Sequence, residues 1–355
     1  MTDSIQVDKY IGCLLGIAAG DSLGLPYEGL STKRGDRLFP DRSKHHFLLG
    51  KGMVSDDTEH ACFTARAMIK SQNDPQRFAR KLAWSLRFWL LGLPAGVGMA
   101  TGRAILKLWL GFPPNYSGVY SAGNGPAMRS PLIGVKYGHN PELLKQFVNA
   151  STRLTHTDPK AYHGSLAIAL AAHMNAETTG AVDPDSYLLE LGKKLIEENP
   201  DELLELIRNA KSSAENGESV GQFAQSIGSK NGISGYMYHT VPCILQVWFR
   251  FGKDFKGGIK EIIAAGGDAD TTAAILGGII GAGVGKDSIP KPWLDDIIEY
   301  PRSVSWMEKL ACSLATSKET KNNLPGYCRL AIPFRNLMFF AIVMTHGFRR
   351  LLPPY

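Results

Sequence analysis

Residues 262–285 read IIAAGGDADTTAAILGGIIGAGVG, and the reading of this stretch decides the fold. Two glycines precede Asp268, Asp270, Thr271 and Thr272, after which the chain turns almost wholly apolar and small. A helix beginning here carries Asp268 and Asp270 around its N-terminus, where unpaired N–H groups and the helix dipole favour carboxylates. Gly277, Gly278, Gly281 and Gly283 then each cost roughly 1 kcal/mol of helix stability against alanine. A chain tolerates that where backbones approach closely. The expectation is a thin, deeply buried helix that delivers two carboxylates to a site. An N-capped core helix is the plainer reading, but a cap needs one Asp, not two followed by hydroxyls.

A second acidic cluster, Ser55-Asp56-Asp57-Thr58, lies about 210 residues earlier and opens another helix, whose apolar face runs through Ala61, Phe63, Ala65 and Met68. Each cluster alone reads equally well as a helix cap. Brought together, four carboxylates repel and raise one another's pKa values unless cations sit among them. Oxygen donors without His or Cys select Mg²⁺, Mn²⁺ or Ca²⁺ over zinc. Two such sets can hold a metal pair about 3.5–4 Å apart.

Around these clusters the chain reads as helices. KYIGCLLGIAAG, residues 9–20, is an expected short packing helix that ends at Asp21, after which GDSLGLPYEG turns and presents Asp21 and Glu28. Residues 31–50 are a basic surface loop, and 112–138, rich in Gly, Pro and Ser, a functional loop. Helical periodicity marks KLAWSLRFWLLGL, TGRAILKLWLGF, residues 140–155, 160–176, 184–197 and 200–213, then YMYHTVPCILQVWFRF, WLDDIIEYPRSV and SWMEKLACSLA. No period-2 strand stands out and no repeat is evident. The fold class is all-α.

Composition narrows the function. The chain has 355 residues, 44% hydrophobic and 20% charged, as in ordinary soluble proteins. A net charge of +6 suits an anionic small ligand or acidic partner but is too weak to argue for nucleic acid. Five cysteines without a close pair point to reduced thiols, a cytoplasmic setting and no structural zinc. No signal-peptide pattern is read at the N-terminus, and no uninterrupted apolar run reaches the length of about 18 residues a span requires.

Asp268-Ala-Asp270-Thr-Thr272 also fits the D-x-D-x-T motif of phosphatases with a nucleophilic aspartate. That motif ends a buried strand, whereas here Ala-Ala-Gly-Gly precedes it. A phosphatase would release inorganic phosphate and show a strand before Asp268.

Five motifs in order, GCLLGIAAGDSLGLPYEG, SDDT, GNGPAMR, THTDPKAYHGS and GGDADTTAAILGGIIGA, resemble the ADP-ribosylglycohydrolase family over about residues 8–300. The resemblance implies a compact, single-domain orthogonal helical bundle with a binuclear site holding two Mg²⁺, or Mn²⁺. It implies Ser55, Asp56 and Asp57 as ligands on one side and Asp268, Asp270 and Thr271 on the other. It further implies metal contacts to the hydroxyls of the distal ribose and cleavage at its C1″. Glu28 matches the family's acidic residue beside the metals, with Asp57 and Asp270 as its catalytic companions. Gly123 and Gly125 of GNGPAMR would free backbone N–H groups for a pyrophosphate, Asn124 and Met128 would join the ligand-binding loop, and Arg129 would either bind phosphate or brace the loop. His156 and Tyr236 would lie against the ligand. Pro126 stands where the family often has a small residue, and it removes one N–H donor. Arginine-specific members carry an Asp-Ile-Gly segment before a Thr-rich helix start. Here the segment is Ala95-Gly96-Val97-Gly98-Met99-Ala100-Thr101, without the aspartate.

The expected organisation is a catalytic domain over 1–317 and an extension over 318–355, whose hydrophobic helix docks on the core or anchors at a partner or membrane surface. The expected partner is an ADP-ribosylated protein, nucleic acid or small molecule, met by a monomer without a stable nucleic-acid complex. A binding protein of the same fold, immunity-like or crystallin-like, is the competing class. The two intact acidic clusters speak against it.

Overall fold

The computed structural model describes residues 2–196, 198–316 and 324–353. The expected domain boundary at 317/318 and the start of the polar link, 317–323, lie outside them. The chain is all-α. Its first third comprises α1 (Thr2–Gly24), α2 (Thr32–Leu38), α3 (Asp56–Ser71), α4 (Pro75–Leu91) and α5 (Met99–Trp109). Then follow α6 (Ser130–Tyr137), α7 (Pro141–Arg153), α8 (Pro159–Glu177), α9 (Pro184–Leu195), α10 (Asp201–Glu215), α11 (Val220–Ser226) and α12 (Met237–Phe251). The last are α13 (Phe255–Ala264), α14 (Ala269–Val284), α15 (Lys291–Asp295), α16 (Val304–Ala315) and α17 (Ala331–Arg349). One antiparallel ladder pairs β1 (Leu30–Ser31) with β2 (Gly266–Gly267), in the register Leu30 to Gly267.

The glycines of the opening stretch have a partner set. A Cβ on Gly277 or Gly281 would overlap the carbonyl oxygen of Gly16 or Gly12, and a Cβ on Gly12, Gly16, Gly20 or Gly24 would strike the α14 backbone in return. Helices α1 and α14 therefore meet backbone to backbone from Gly12 to Gly24 along a buried seam. The stability lost within each helix is offset by dispersion contacts that only bare backbones can make. Replacing Gly16 or Gly277 with alanine forces the helices apart, and overpacking of this kind costs about 1–3 kcal/mol or more. Thermal unfolding is expected to shift down by several degrees, and an unchanged midpoint would contradict the close packing.

Some expectations are corrected. Helix α1 does not end at Asp21 but runs to Gly24, because the four-residue glycine spacing continues to that position. The basic loop contains α2. WLDDIIEYPRSV is helical only as far as Asp295. Helix α13 was not anticipated.

Helix α17 lies on the fold through one face. Arg335, Asn336 and Phe339 are buried there, and Phe339 packs with Leu25, Phe47 and Met53. His346 stacks on Phe47 with ring centroids 5.3 Å apart. The whole helix, with a mean hydropathy of 1.2 over its apolar window, is long and apolar enough to cross a membrane by length and composition. An uninterrupted apolar run is not a sufficient criterion for it, because Arg335 and Asn336 break the run within the helix.

Candidate metal and ligand site

The two acidic clusters come together where α3 and α14 begin. Ser55 caps α3, its Oγ accepting from the Asp57 amide at 3.3 Å, so Asp56 and Asp57 are not needed as caps. Asp268 occupies the N-cap position of α14 yet makes no side-chain cap bond. The plain capping reading therefore fails for both aspartate pairs. Thr271 Oγ1 donates to Asp57 Oδ2 at 3.2 Å and links the helices directly. Asn124 Nδ2 donates to Asp268 Oδ2 at 2.6 Å and to Thr240 Oγ1 at 3.0 Å, tying the glycine loop to the same cluster.

The electrostatics of this arrangement are unfavourable as they stand. Asp57 and Asp270 are buried, and one oxygen of each, Oδ1, lacks any hydrogen-bond partner in the protein. Burial, followed by the charge of Asp56, holds the Asp57 carboxyl well above its ordinary range. Burial, followed by Glu28 and Asp268, does the same to Asp270. Asp56 and Asp268 are raised as well, again first by burial. Unpaired buried carboxylate oxygens are costly unless something positive completes them. The donor set is oxygen only, which fits hard divalent cations.

Asp21 was not anticipated as part of the site. It is fully buried on α1 and accepts from the Ser55 amide at 2.9 Å and the Thr58 amide at 3.1 Å. It thus sets the turn that presents Asp56 and Asp57. Burial raises its carboxyl to about 6, with those hydrogen bonds opposing. The same turn is held from behind by Glu299 and Arg335, a buried pair at 2.8 Å. Arg335 donates to the Val54 carbonyl, and the Val54 amide donates to Glu299 at 3.4 Å. Nothing in the sequence ties Arg335 to residue 54, but the glycine spacing through Gly24 would have kept Asp21 helical.

Glu28 sits at the open edge, where it and Asp268 line a cleft of about 540 Å³ walled by residues 228–235, His239 and Gly267. Its carboxyl is raised first by lost solvation, then by Asp268, with Arg350 pulling the other way. Glu59 does not reach this edge. It is buried, ion-paired with Arg302, and accepts from Trp89 Nε1 at 2.6 Å.

In the loop around GNGPAMR, the Gly123 amide is used by Ser121 Oγ, the Asn124 amide by the Gly235 carbonyl and the Ala127 amide by the Asn124 carbonyl. The Gly125 amide makes no hydrogen bond among the described residues, while the Gly123 amide is taken, so the expected nest has fewer open donors than its glycines suggest. Met128 is buried beneath the loop. Arg129 is completely buried and donates to Ser151 and Thr155, so it braces the loop from below and presents no charge to a ligand. Burial lowers its pKa to about 9. His156 packs its ring against Gly123 and Gly125 and is lowered to about 3 by burial, then by Arg129, so it is neutral at physiological pH. It borders a separate cavity of about 380 Å³ with Thr152, Asp158 and Tyr162. Tyr236 is half-buried, edge-on to His239, and its hydroxyl accepts from Lys160 Nζ at 2.9 Å.

Among the described residues, the group of three His, Cys, Asp or Glu donors lying within 4.8 Å of one another is His139, His173 and Glu177, away from the clusters. Glu177 there already pairs with Lys9 at 2.9 Å. The aspartate site is more open than that spacing. The strand expected of a phosphatase is absent too, since Asp268 follows a two-residue antiparallel segment and begins a helix.

Comparison with known proteins agrees with the all-α fold. The sequence profile of the family described as ADP-ribosylglycohydrolase matches residues 1–323. A protein of Archaeoglobus fulgidus described as uncharacterized is 32% identical over 314 residues, covering 86% of this chain and 96% of that protein. The ADP-ribosyl-[dinitrogen reductase] glycohydrolase of Rhodospirillum rubrum is 27% identical over 309 residues, covering 84% and 92%. A solved structure described as an ADP-ribosylglycohydrolase-related protein complex superposes with a TM-score of 0.66 at 26% identity, over 89% of this chain and 100% of that one.

Proposed function

This chain belongs to the ADP-ribosylglycohydrolase family, and from that premise we propose that it removes ADP-ribose from a modified macromolecule or small conjugate by metal-dependent hydrolysis at the joined acidic clusters. The observation that carries the proposal is the pair of buried oxygens, Asp57 Oδ1 and Asp270 Oδ1, left without hydrogen-bond partners where α3 and α14 meet. Ser55, Asp56, Asp57, Asp268, Asp270 and Thr271 would hold two divalent cations, Mg²⁺ or Mn²⁺. When bound, these would engage the distal ribose and stabilise charge as its glycosidic bond breaks.

The chain's own groups have distinct tasks. Asp21 fixes the Ser55–Thr58 turn, and Asn124 orients Asp268. Glu28, at the cleft edge with a raised pKa, exchanges a proton with the attacking water or the leaving group. The Gly125 amide is the open donor for a phosphate oxygen, and His156 and Tyr236 frame the adenosine end as neutral surfaces. The proposal takes 1–317 as the catalytic unit and 318–355 as an extension. A cytoplasmic setting belongs to it too, supported by five unpaired cysteines.

The test is release of ADP-ribose from ADP-ribosyl conjugates with and without added Mg²⁺ or Mn²⁺. No release with either metal, together with tight binding of ADP-ribose, would favour the binding-protein class. For His156→Ala and Tyr236→Ala, KM is expected to rise about tenfold with kcat nearly unchanged. Contacts away from the reacting bond serve ground and transition states alike. Steady-state kinetics on one conjugate decides this, and a loss confined to kcat would place both residues elsewhere.

A further inference from the structure

All but five of the large hydrophobic side chains exposed in the described structure fall within 84–120 or 330–352; the exceptions are Leu49, Leu189, Ile196, Ile298 and Tyr300. These two segments adjoin each other. Asn336 Nδ2 donates to the carbonyl of Gly92, which ends α4, at 2.7 Å, and Ala95, Ile342 and Val343 pack against the small cluster that contains Phe339. Arg87 on α4 donates to Leu108 on α5, so α5 joins the same side of the fold. Helix α17 leaves Phe334 at 76% and Leu337 at 68% exposure, while its opposite face is pinned by Arg335, Asn336 and His346. Soluble monomers seldom expose so much contiguous apolar surface without a use for it.

The charge of this face has one sign. From Pro75 to Pro141, and again from Leu324 to Pro353, there is no Asp or Glu, whereas Arg77, Arg80, Lys81, Arg87, Arg103 and Lys107 lie in the first segment and Arg329 and Arg349 flank α17. Between α4 and the start of α17 runs a groove of about 480 Å³ lined by Arg66, Lys70, Lys81 and Arg329, with Trp84 and Phe88 at its rim. The charged ends of Lys70, Lys81 and Arg329 make no hydrogen bond or ion pair among the described residues. Lys70 is lowered by burial, then by Arg66, Lys81 and Arg329, as expected of cations crowded without an anion.

We propose that this face is a docking surface for an anionic lipid bilayer, with lipid phosphates seated on the groove cations and the aromatic rim and the outer face of α17 lying in the interface. Exposed aromatic and aliphatic side chains interleaved with cations are what a headgroup region accommodates. Helix α17 does not cross the bilayer in this arrangement, because Arg335 and Glu299 fix its inner face to the fold. A second copy of the chain is a poorer occupant. Two-fold pairing would set this cationic face against itself. The far end of α17 reaches the cleft, since Arg350, just past it, donates to Pro26 beside Glu28. The surface does not depend on the hydrolase reading.

The test is co-sedimentation of the full chain with phosphatidylcholine vesicles and with vesicles that also contain phosphatidylglycerol. Binding is expected to be at least tenfold tighter to the anionic vesicles and to fall steeply with salt. Phe334→Glu and the double variant Lys70→Glu/Lys81→Glu should each lose tenfold or more, with circular dichroism unchanged. The wild-type comparison of the two vesicle types stands even if a variant fails to fold. Absence of binding to anionic vesicles, equal binding to both, or undiminished binding of folded variants overturns the proposal. So does a gel-filtration dimer that Phe334→Glu converts to monomer, which would assign the face to a second copy.

Discussion

Replacing Asp57 or Asp270 with alanine is expected to lower turnover of an ADP-ribosyl conjugate about a thousandfold or more while far-UV circular dichroism stays the same. Such a loss corresponds to ~4 kcal/mol of transition-state stabilisation. Each residue contributes a buried oxygen that the protein itself leaves unsatisfied, so removing one empties part of the cation cradle. Asp57→Ala also removes the Thr271 hydrogen bond to Oδ2, one contact among the many that hold α3 and α14 in the fold. Chelation of wild-type protein should reproduce the loss, and excess Mg²⁺ or Mn²⁺ should reverse it in wild type alone. The metal-free stabilities should move the opposite way. Both carboxyls have folded pKa values above their unfolded ones. At neutral pH, above the unfolded value, the unfolded chain releases these protons more readily, so ionisation disfavours the fold. Asp57→Asn or Asp270→Asn keeps the volume and removes that charge, and should raise the metal-free unfolding midpoint by about 1–2 °C per kcal/mol relieved. A variant with near wild-type turnover at saturating substrate would remove the aspartate pair from the catalytic centre.

How much of this could be read in the sequence depended on whether the signal was local. The glycines of 262–285 announce close packing because their helix cost has no other compensation, and the acidic clusters announce each other because both exceed what a cap needs. Their meeting is a tertiary fact, yet the repulsion argument anticipates it. Asp21 was lost to a misplaced helix end, which the glycine at position 24 would have corrected. Arg129 illustrates the opposite limit. Its position beside the glycine loop is local, but the direction of its guanidinium, toward Ser151 and Thr155, depends on α7. The clamp of Arg335 on Glu299 and Val54 joins three distant segments by one buried ion pair, and no periodicity carries such information. The amphipathic character of α17 was hidden because Arg335 and Asn336 share its buried face with Phe339 while its exposed face carries Phe334 and Leu337, so polarity does not separate the faces as a helix search assumes.

An O-linked or nucleobase-linked ADP-ribose is expected to be cleaved at least about a hundredfold faster, in kcat/KM, than ADP-ribosyl-arginine, because acid–base assistance contributes on the order of 10²–10⁴ to rate and one source of it is missing here. The guanidino group is a poor leaving group unless it is held protonated and departs as neutral guanidine. The segment before α5 offers Ala95, Gly96, Val97 and Gly98, and a Cβ on Gly96 or Gly98 would meet nothing within 4 Å. No carboxylate therefore occupies that segment. Nor does Glu59 replace it, since that carboxylate is held by Arg302 and Trp89. Asp21 is fully engaged by Ser55 and Thr58. Glu28 alone remains at the cleft outside the oxygen cluster, and one carboxylate is sufficient only for a leaving group that departs with little help. The φ of Gly96, +79°, is tolerated by aspartate better than by most residues. Gly96→Asp should therefore raise arginine-conjugate turnover relative to the O-linked conjugate if that position faces the leaving group. A panel of arginine-, serine- and nucleobase-linked conjugates measures the preference directly. Arginine-linked substrate cleaved fastest by the wild-type enzyme would sink the argument, and would mean that Glu28 alone gives the guanidino group all the assistance it needs.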